Sequence, residues 1–343
     1  MKQTFLFTVI ACLFTAQSWA APAISSVSGI MGHSQSVTIT GSGFGTKSSA
    51  APFLWDTVDN ISVYSGVSNG QTIPTGGSYP WPGNYNDALK METADTMRHA
   101  NSSKMYKSVN NLKGAFLEKN LPTNPSTGLI YVSWWWKPYT SPVGGNHSSK
   151  FLRLSDQSDI PGKTFSWTQM HNYVYINGCG PGYWKDWSGN VNQWNFHEAI
   201  MITSQKKYYL YVNGSLLTNA DWSECSGSIS YNQVNAIGWD GGGSYPPQLT
   251  TWMDDIYVDN TLARVMIGNA STLAASTHRE MQIPSEWSDS SIRVKVNQGS
   301  FAIGDTPYLY VVDENGVMNS SGYPITIQSA TPPSAPKGLR IVN

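Results

Sequence analysis

Residues Ser36-Val37-Thr38-Ile39-Thr40-Gly41-Ser42-Gly43-Phe44-Gly45 decide how this chain is divided. Apolar β-branched residues alternate with polar ones over Val37–Thr40, the period of a half-buried strand, and three glycines then end the run. Just before it stands Ile24-Ser-Ser-Val-Ser28. Runs of the same character return near the other end: Ala263-Arg-Val-Met-Ile-Gly268, Glu286-Trp-Ser-Asp-Ser-Ser-Ile-Arg-Val-Lys-Val296 and Pro307-Tyr-Leu-Tyr-Val-Val-Asp-Glu-Asn-Gly316.

Taken in series, these pieces resemble the immunoglobulin-like IPT/TIG family. Its pattern opens with I-x-x-V, continues as V-T-I-x-G-x-x-F-G and closes with W-S-x-x-x-I-x-V-x-V and a strand ending on a Gly turn. The resemblance implies one small Ig-like β-sandwich in two parts, residues 21–51 and 263–330, with residues 52–262 between them.

The intervening block resembles the concanavalin A-like (laminin-G-like) jelly roll. Phe53-Leu-Trp-Asp56 stands as an opening strand and Trp194-Asn-Phe-His-Glu-Ala-Ile-Met-Ile-Thr203 as the W-x-x-x-E strand. Lys206-Lys-Tyr-Tyr-Leu-Tyr-Val-Asn-Gly214 matches the L-Y-V-N-G hairpin. Ile237-Gly-Trp-Asp240 and Trp252-Met-Asp-Asp-Ile-Tyr-Val258 match the closing pair. The expected fold is all-β: a jelly-roll sandwich set as a guest in a smaller Ig-like one. Insertion is tolerated at exposed loops whose ends already lie close together. Three consecutive domains are the alternative. The segment from Ser65 to Asn101 matches no pattern.

Helical periodicity is nearly absent, and the single helical candidate, Asn269–Ala275, fits a loop equally well. Short alternating runs bounded by Gly, Pro, Asn and Ser recur instead. They include Leu129–Lys137, Lys150–Leu154, Thr164–Met170, Tyr173–Ile176, Tyr208–Val212, Thr251–Val258 and Ile325–Ile327. Val212-Asn-Gly-Ser215 is a hairpin signal, because Asn-Gly accepts the positive φ angles of a tight turn. Residues 331–343 read as a Pro-rich tail.

Residues 1–20 have the form of a secretory signal peptide: Lys2, an apolar stretch from Phe5 to Ala16, and small residues Ser18 and Ala20 before the cut. The expected location is therefore secreted, periplasmic or at the cell surface, and no later stretch is long and apolar enough to span a membrane. Once Cys12 leaves with that peptide, Cys179 and Cys225 remain as a candidate disulfide. Only 13% of residues are charged and the formal net charge is −1, so no basic stripe exists and nucleic acid is not an expected partner. Aromatic residues reach 12%, which fits either large sandwich cores or exposed platforms for sugars.

Fold alone does not assign chemistry here. The E-x-D-x-x-E pattern of jelly-roll glucanases is missing, and Asp254 and Asp255, being adjacent, are expected on opposite faces of their strand. Gln169-Met-His171 echoes the Q-x-H element of alginate-lyase-like jelly rolls and would place both side chains on one face. The rest of that pattern is missing, with Arg98 and Tyr211 as substitutes at most. A polar strand-edge histidine is the plainer reading. Trp134 and Trp136 share one face of their strand and Trp135 takes the other, so at least one face is core. Tyr183, Trp184 and Trp187 fall in a Gly-rich loop, where they either stack on sugars or cover the Cys179 region. Asp240, Asp254 and Asp255 offer hard oxygen ligands suited to calcium, in no fixed motif, and no other cofactor is expected.

The expected function is an exported protein that binds a glycan or another surface polymer without catalysis. A polysaccharide lyase or glycoside hydrolase, and a structural or adhesive matrix protein, are the alternatives. Intact-mass measurement of the exported protein should show loss of residues 1–20 and of two hydrogens. Two free thiols under non-reducing denaturation would exclude the disulfide.

Overall fold

The computed structural model describes residues 20–109, 115–120, 128–143, 150–155, 164–168, 173–176, 183–223, 233–240 and 249–330. The chain runs through β1 (Ala23–Ser28), β2 (Ser36–Ser42), β3 (Leu54–Asp56), β4 (Gly83–Asn84), β5 (Lys90–Glu92), β6 (Met105–Ser108) and β7 (Ala115–Asn120). It continues as β8 (Leu129–Pro138), β9 (Lys150–Ser155), β10 (Thr164–Thr168), β11 (Tyr173–Ile176), β12 (Tyr183–Trp184), β13 (Asn195–Ile202), β14 (Lys207–Val212) and β15 (Ser215–Asp221). It ends with β16 (Gln233–Asp240), β17 (Thr251–Asp259), β18 (Arg264–Gly268), β19 (Arg279–Trp287), β20 (Ser291–Lys295), β21 (Tyr308–Val312) and β22 (Tyr323–Pro324).

The molecule is all-β. One sheet, in the order β1-β2-β20-β19-β18-β21-β22, joins strands from both ends of the described chain. Val37 of β2 lies opposite Val294 of β20, and Ile39 opposite Ile292. This sheet folds over itself at β19. Residues 279–282 of β19 pair with β18, whereas Ile283–Trp287 pair with β20. A register shift between Pro284 and Glu286 marks the corner, where proline lacks a ladder donor. The core inside the fold holds Val37, Ile39, Phe44, Val265, Ile292 and Leu309.

Residues 54–259 build the larger sandwich from two sheets, β12-β11-β10-β9-β16-β7-β4 and β15-β14-β13-β8-β17-β6-β5, with β3 added on β17. Its core is aromatic: Trp81, Trp134, Trp136, Trp167 and Trp239 are all buried. Strand β8 shows why. Ile130, Val132, Trp134 and Trp136 face this core. Leu129, Tyr131 and Trp135, on the opposite face, belong to a second apolar layer with Met266, Met281 and Tyr310 of the smaller sandwich. Both faces of β8 are covered, so its sequence reads as a continuous apolar run and not as an alternation.

The tight turn at Asn213 and Gly214 has φ of 49° and 78°. A Cβ at Gly214 would lie 2.2 Å from the Ser276 carbonyl oxygen, so glycine also lets the smaller sandwich approach. The side chain of Asn213 accepts a hydrogen bond from Phe196 N and donates to Asn195 Oδ1, tying the turn to β13.

Of the two readings open for Asn269–Ala275, helix or loop, the loop is found, with a single 3-10 turn at Leu273–Ala275. The Asn269 carboxamide accepts from the backbone N–H of Thr277 and His278, offering the chain a loop in place of a helix. Ile325–Ile327 is not a strand. The ladder stops at Tyr323–Pro324, although Ile325 and Ile327 still bury in the smaller core and donate to Pro307 O and Asp305 O.

Strand β2 lies between β1 and β20, so a fragment of residues 263–343 would present β20 as an unpaired edge beside an open core. We expect this fragment to show no cooperative thermal transition by circular dichroism, and addition of a peptide spanning residues 21–51 to restore one.

Candidate functional site

The smaller sandwich covers the outer face of β8, β13 and β17 incompletely, and the uncovered part is a seam of adjoining clefts. At one end is an open pocket of about 440 Å3, lined by Trp135, Trp194, Asn190, Gln193, Asn213 and His278. Trp194 is half-buried and Asn190 and Gln193 are exposed. Ser215 links this pocket to a cleft of about 500 Å3, where Glu198, Tyr211, Arg264 and Arg279 converge. Tyr211 and Arg264 continue into a further cleft of about 610 Å3 beside Tyr209 and Glu314.

Glu198, expected only as a strand landmark, sits at the floor of the middle cleft. Its Oε1 accepts from Tyr131 Oη at 2.7 Å and its Oε2 from Arg279 Nη1 at 2.8 Å. Both oxygens are therefore engaged by protein donors. Arg264 lies over the Tyr131 ring, 4.5 Å from its centroid, and donates to Leu262 O.

Behind the pocket lies a buried ionic cluster. The Arg98 guanidinium contacts Asp255, donates to Glu280 at 2.8 Å, comes within 3.9 Å of Asp254 and stacks on Trp135. Asp254 and Asp255 therefore share one face, against expectation. Between Asp254 and Tyr257 the register of β17 against β8 shifts, and Asp255 has φ of 50°. This bulge inserts a residue, returns Ile256 to the larger core and turns both carboxylates outward.

Burial pushes the Asp254 carboxyl well above the usual range, reinforced by the charge of Asp255. Burial likewise raises Asp255 to about 6, against the pull of Arg98. Burial also works against ionisation of Glu280, but Arg98 and His278 outweigh it and hold that carboxyl below its ordinary value. His99 is pushed down to about 3 by burial and by Arg98.

His99, Asp254 and Asp255 bring potential metal-ligand atoms within 4.8 Å of one another. Asp255 Oδ1 and His99 Nε2 are buried without partners. The donor set fits a divalent ion poorly, because the Arg98 guanidinium already supplies the positive charge between the two aspartates. Asp240 lies on β16, in the opposite sheet from β17, so it does not share their strand.

Trp134 and Trp136 are fully buried and offer no face to a ligand. Trp187 is also core: it is 6% exposed, its Nε1 donates to His197 Nε2 at 3.0 Å, and a Cβ on Gly189 would lie 2.1 Å from its ring. Burial pushes His197 down to about 3, which keeps it neutral as an acceptor. These three tryptophans fill the sandwich because an aromatic ring buries more apolar area than any alternative. Tyr183 and Trp184 form β12 at a sheet edge, paired with β11 and not in a loop. Gln169, His171, Cys179 and Cys225 lie outside the described residues. Arg98 sits in the ionic cluster and Tyr211 lines the middle cleft. Trp194 was visible in the sequence, but its position in a strand motif gave it a purely structural reading.

No protein-family model matches this chain, and no curated protein does. Among solved structures, it is similar to an endo-β-1,4-glucuronan lyase from the fungus Trichoderma reesei, at 9% identity and a TM-score of 0.41, over 58% of this chain and 96% of that one. A botulinum neurotoxin serotype D ligand binding domain in complex with N-acetylneuraminic acid gives 11% identity and 0.33, over 75% and 72% of the two chains. A Trypanosoma rangeli sialidase in complex with the inhibitor DANA gives 10% and 0.32, over 50% of this chain and only 27% of the sialidase.

Between pH 4 and 6 the folded protein holds a proton on Asp255 that the unfolded chain, with the ordinary value of 3.8, has released. The stability this provides is complete below about pH 4 and is lost as pH rises through about 6. Asp254→Asn removes the second carboxyl that burial raises in the folded state, and with it the other group whose stabilising proton is lost as pH rises. Its melting temperature should fall less than that of the unsubstituted protein between pH 4 and pH 7, as measured by calorimetry.

Proposed function

We propose that this protein binds a glycan or glycan-like surface polymer, without catalysis, at the seam pocket around Trp194. The observation that carries the reading is the make-up of that pocket: a half-buried indole beside exposed amide and hydroxyl side chains, Asn190, Gln193, Ser188 and Thr277, in a volume of about 440 Å3. Sugar rings present apolar C–H faces and a rim of hydroxyls. An indole face with amides around it meets both needs.

In this reading the protein is exported, and the smaller sandwich is an IPT/TIG-like host (21–51 and 263–330) carrying the jelly roll as its guest. The host then contributes directly to recognition, because Thr277 and His278 line the same pocket as Trp194.

Trp194→Ala should weaken binding of the best ligand from a glycan array by tenfold or more, about 1.4 kcal/mol. Asn190→Ala combined with Gln193→Ala should weaken it too. Neither amide side chain is buried, so the melting temperature of the double variant should stay that of the parent. Unchanged glycan affinity in both variants would remove the pocket from the function. Turnover of a bound polysaccharide, read as new reducing or unsaturated ends, would favour the lyase or hydrolase instead.

A further inference from the structure

The two segments that join the sandwiches, residues 45–53 and 259–264, meet at Lys47 and Asp259. The Nζ of Lys47 bonds to Oδ2 of Asp259. The Lys47 side chain has no solvent exposure and that of Asp259 is 4% exposed. Tyr257 Oη donates to the same Asp259 oxygen at 2.9 Å. Around them, Trp55 and Tyr131 pack edge-on against Tyr257.

We propose that Lys47 and Asp259 condense spontaneously into an intramolecular isopeptide bond. The amine and the carboxyl are held in contact where water is excluded. Oriented reactants of this kind gain effective molarities of about 10⁵ M or more. In the step, the lone pair of a neutral Lys47 Nζ attacks Asp259 Cγ and a Cγ–N bond forms. The Cγ–O bond to the carboxyl hydroxyl breaks, and that hydroxyl leaves as water with one proton from the amine. Tyr257 Oη donates to the oxygen that remains and steadies the negative charge it carries in the tetrahedral intermediate.

Two observations and one physical cost favour condensation over a lasting ion pair. Burial lowers the Lys47 pKa and raises that of Asp259, and in both cases the neutral form is the one the reaction needs. Two buried charges carry a desolvation cost that an amide does not. The comparable contact of Lys107 with Asp95 has side chains 20% and 40% exposed, so water reaches it and both groups stay ionised. The bond would join residues 212 positions apart and clasp the neck between the sandwiches.

The test is the mass of the purified full chain after thiol reduction. A linked protein weighs one water less than its sequence. Its tryptic digest contains a branched peptide joining Lys47 to Asp259, with no cleavage after Lys47. Lys47→Met should restore the full sequence mass. Asp259→Asn should yield the identical branched peptide, since the same amide then forms by loss of ammonia. A full sequence mass for the unsubstituted protein, with normal cleavage after Lys47, overturns the proposal. That reading needs no variant to fold.

Discussion

The structure depends on covering an apolar sheet face. Strands β8 and β13 carry apolar side chains on both sides, β17 adds Tyr257 beside its outward carboxylates, and the larger sandwich can bury only one of these faces. Tyr131, Trp135, Phe196, Ile200 and Tyr257 are left on the outer side and need a partner. The smaller sandwich supplies it with Met266, Met281 and Tyr310. Strands β18 and β21 are consequently two-sided as well: Val265, Ile267, Leu309 and Val311 face their own core, and Met266, Tyr310 and Val312 face the joint. The seam pocket is a by-product of this cover, since a folded-over sheet cannot follow the whole width of the sheet beneath it.

Polar groups trapped at the joint must be satisfied there. Arg98, Asp255 and Glu280 do this with contributions from both sandwiches, and Asn297 and Ser300 add hydrogen bonds to the two carboxylates. Removing one member of such a cluster leaves a buried charge uncompensated, at a cost of about 3–5 kcal/mol. The cluster therefore fixes how the two sandwiches sit, while the apolar layer supplies most of the adhesion.

Strand positions were legible wherever one side chain period dominated. Tyr173–Ile176 and Tyr208–Val212 were read closely, and Asn213-Gly214 announced its own turn because few residues accept positive φ there. The site was much less legible. Asp254 and Asp255 were expected on opposite faces because a strand alternates, and nothing in Met-Asp-Asp-Ile discloses the bulge that breaks that alternation. Trp187 looked like a loop platform because its partner His197 is ten residues away and only the fold brings the two rings together. Trp194 carried the opposite ambiguity, a half-buried pocket residue hidden inside a strand motif. Burial, in each case, is a property of what packs on top and not of the local string.

The arrangement also directs mechanical load. Residues 20 and 330, the outermost described positions, both belong to the smaller sandwich, and β1 and β22 lie at opposite edges of its sheet. Gln328 N–H also bonds Met31 O, so tension between the two ends is borne within the smaller sandwich, by this contact and by the ladder of its sheet, before it reaches the linkers at residues 45 and 264. While that ladder holds, the larger sandwich hangs outside the line of force. Pulling on the two ends of the described chain thus loads the smaller sandwich and spares the strands of the larger one that line the pocket.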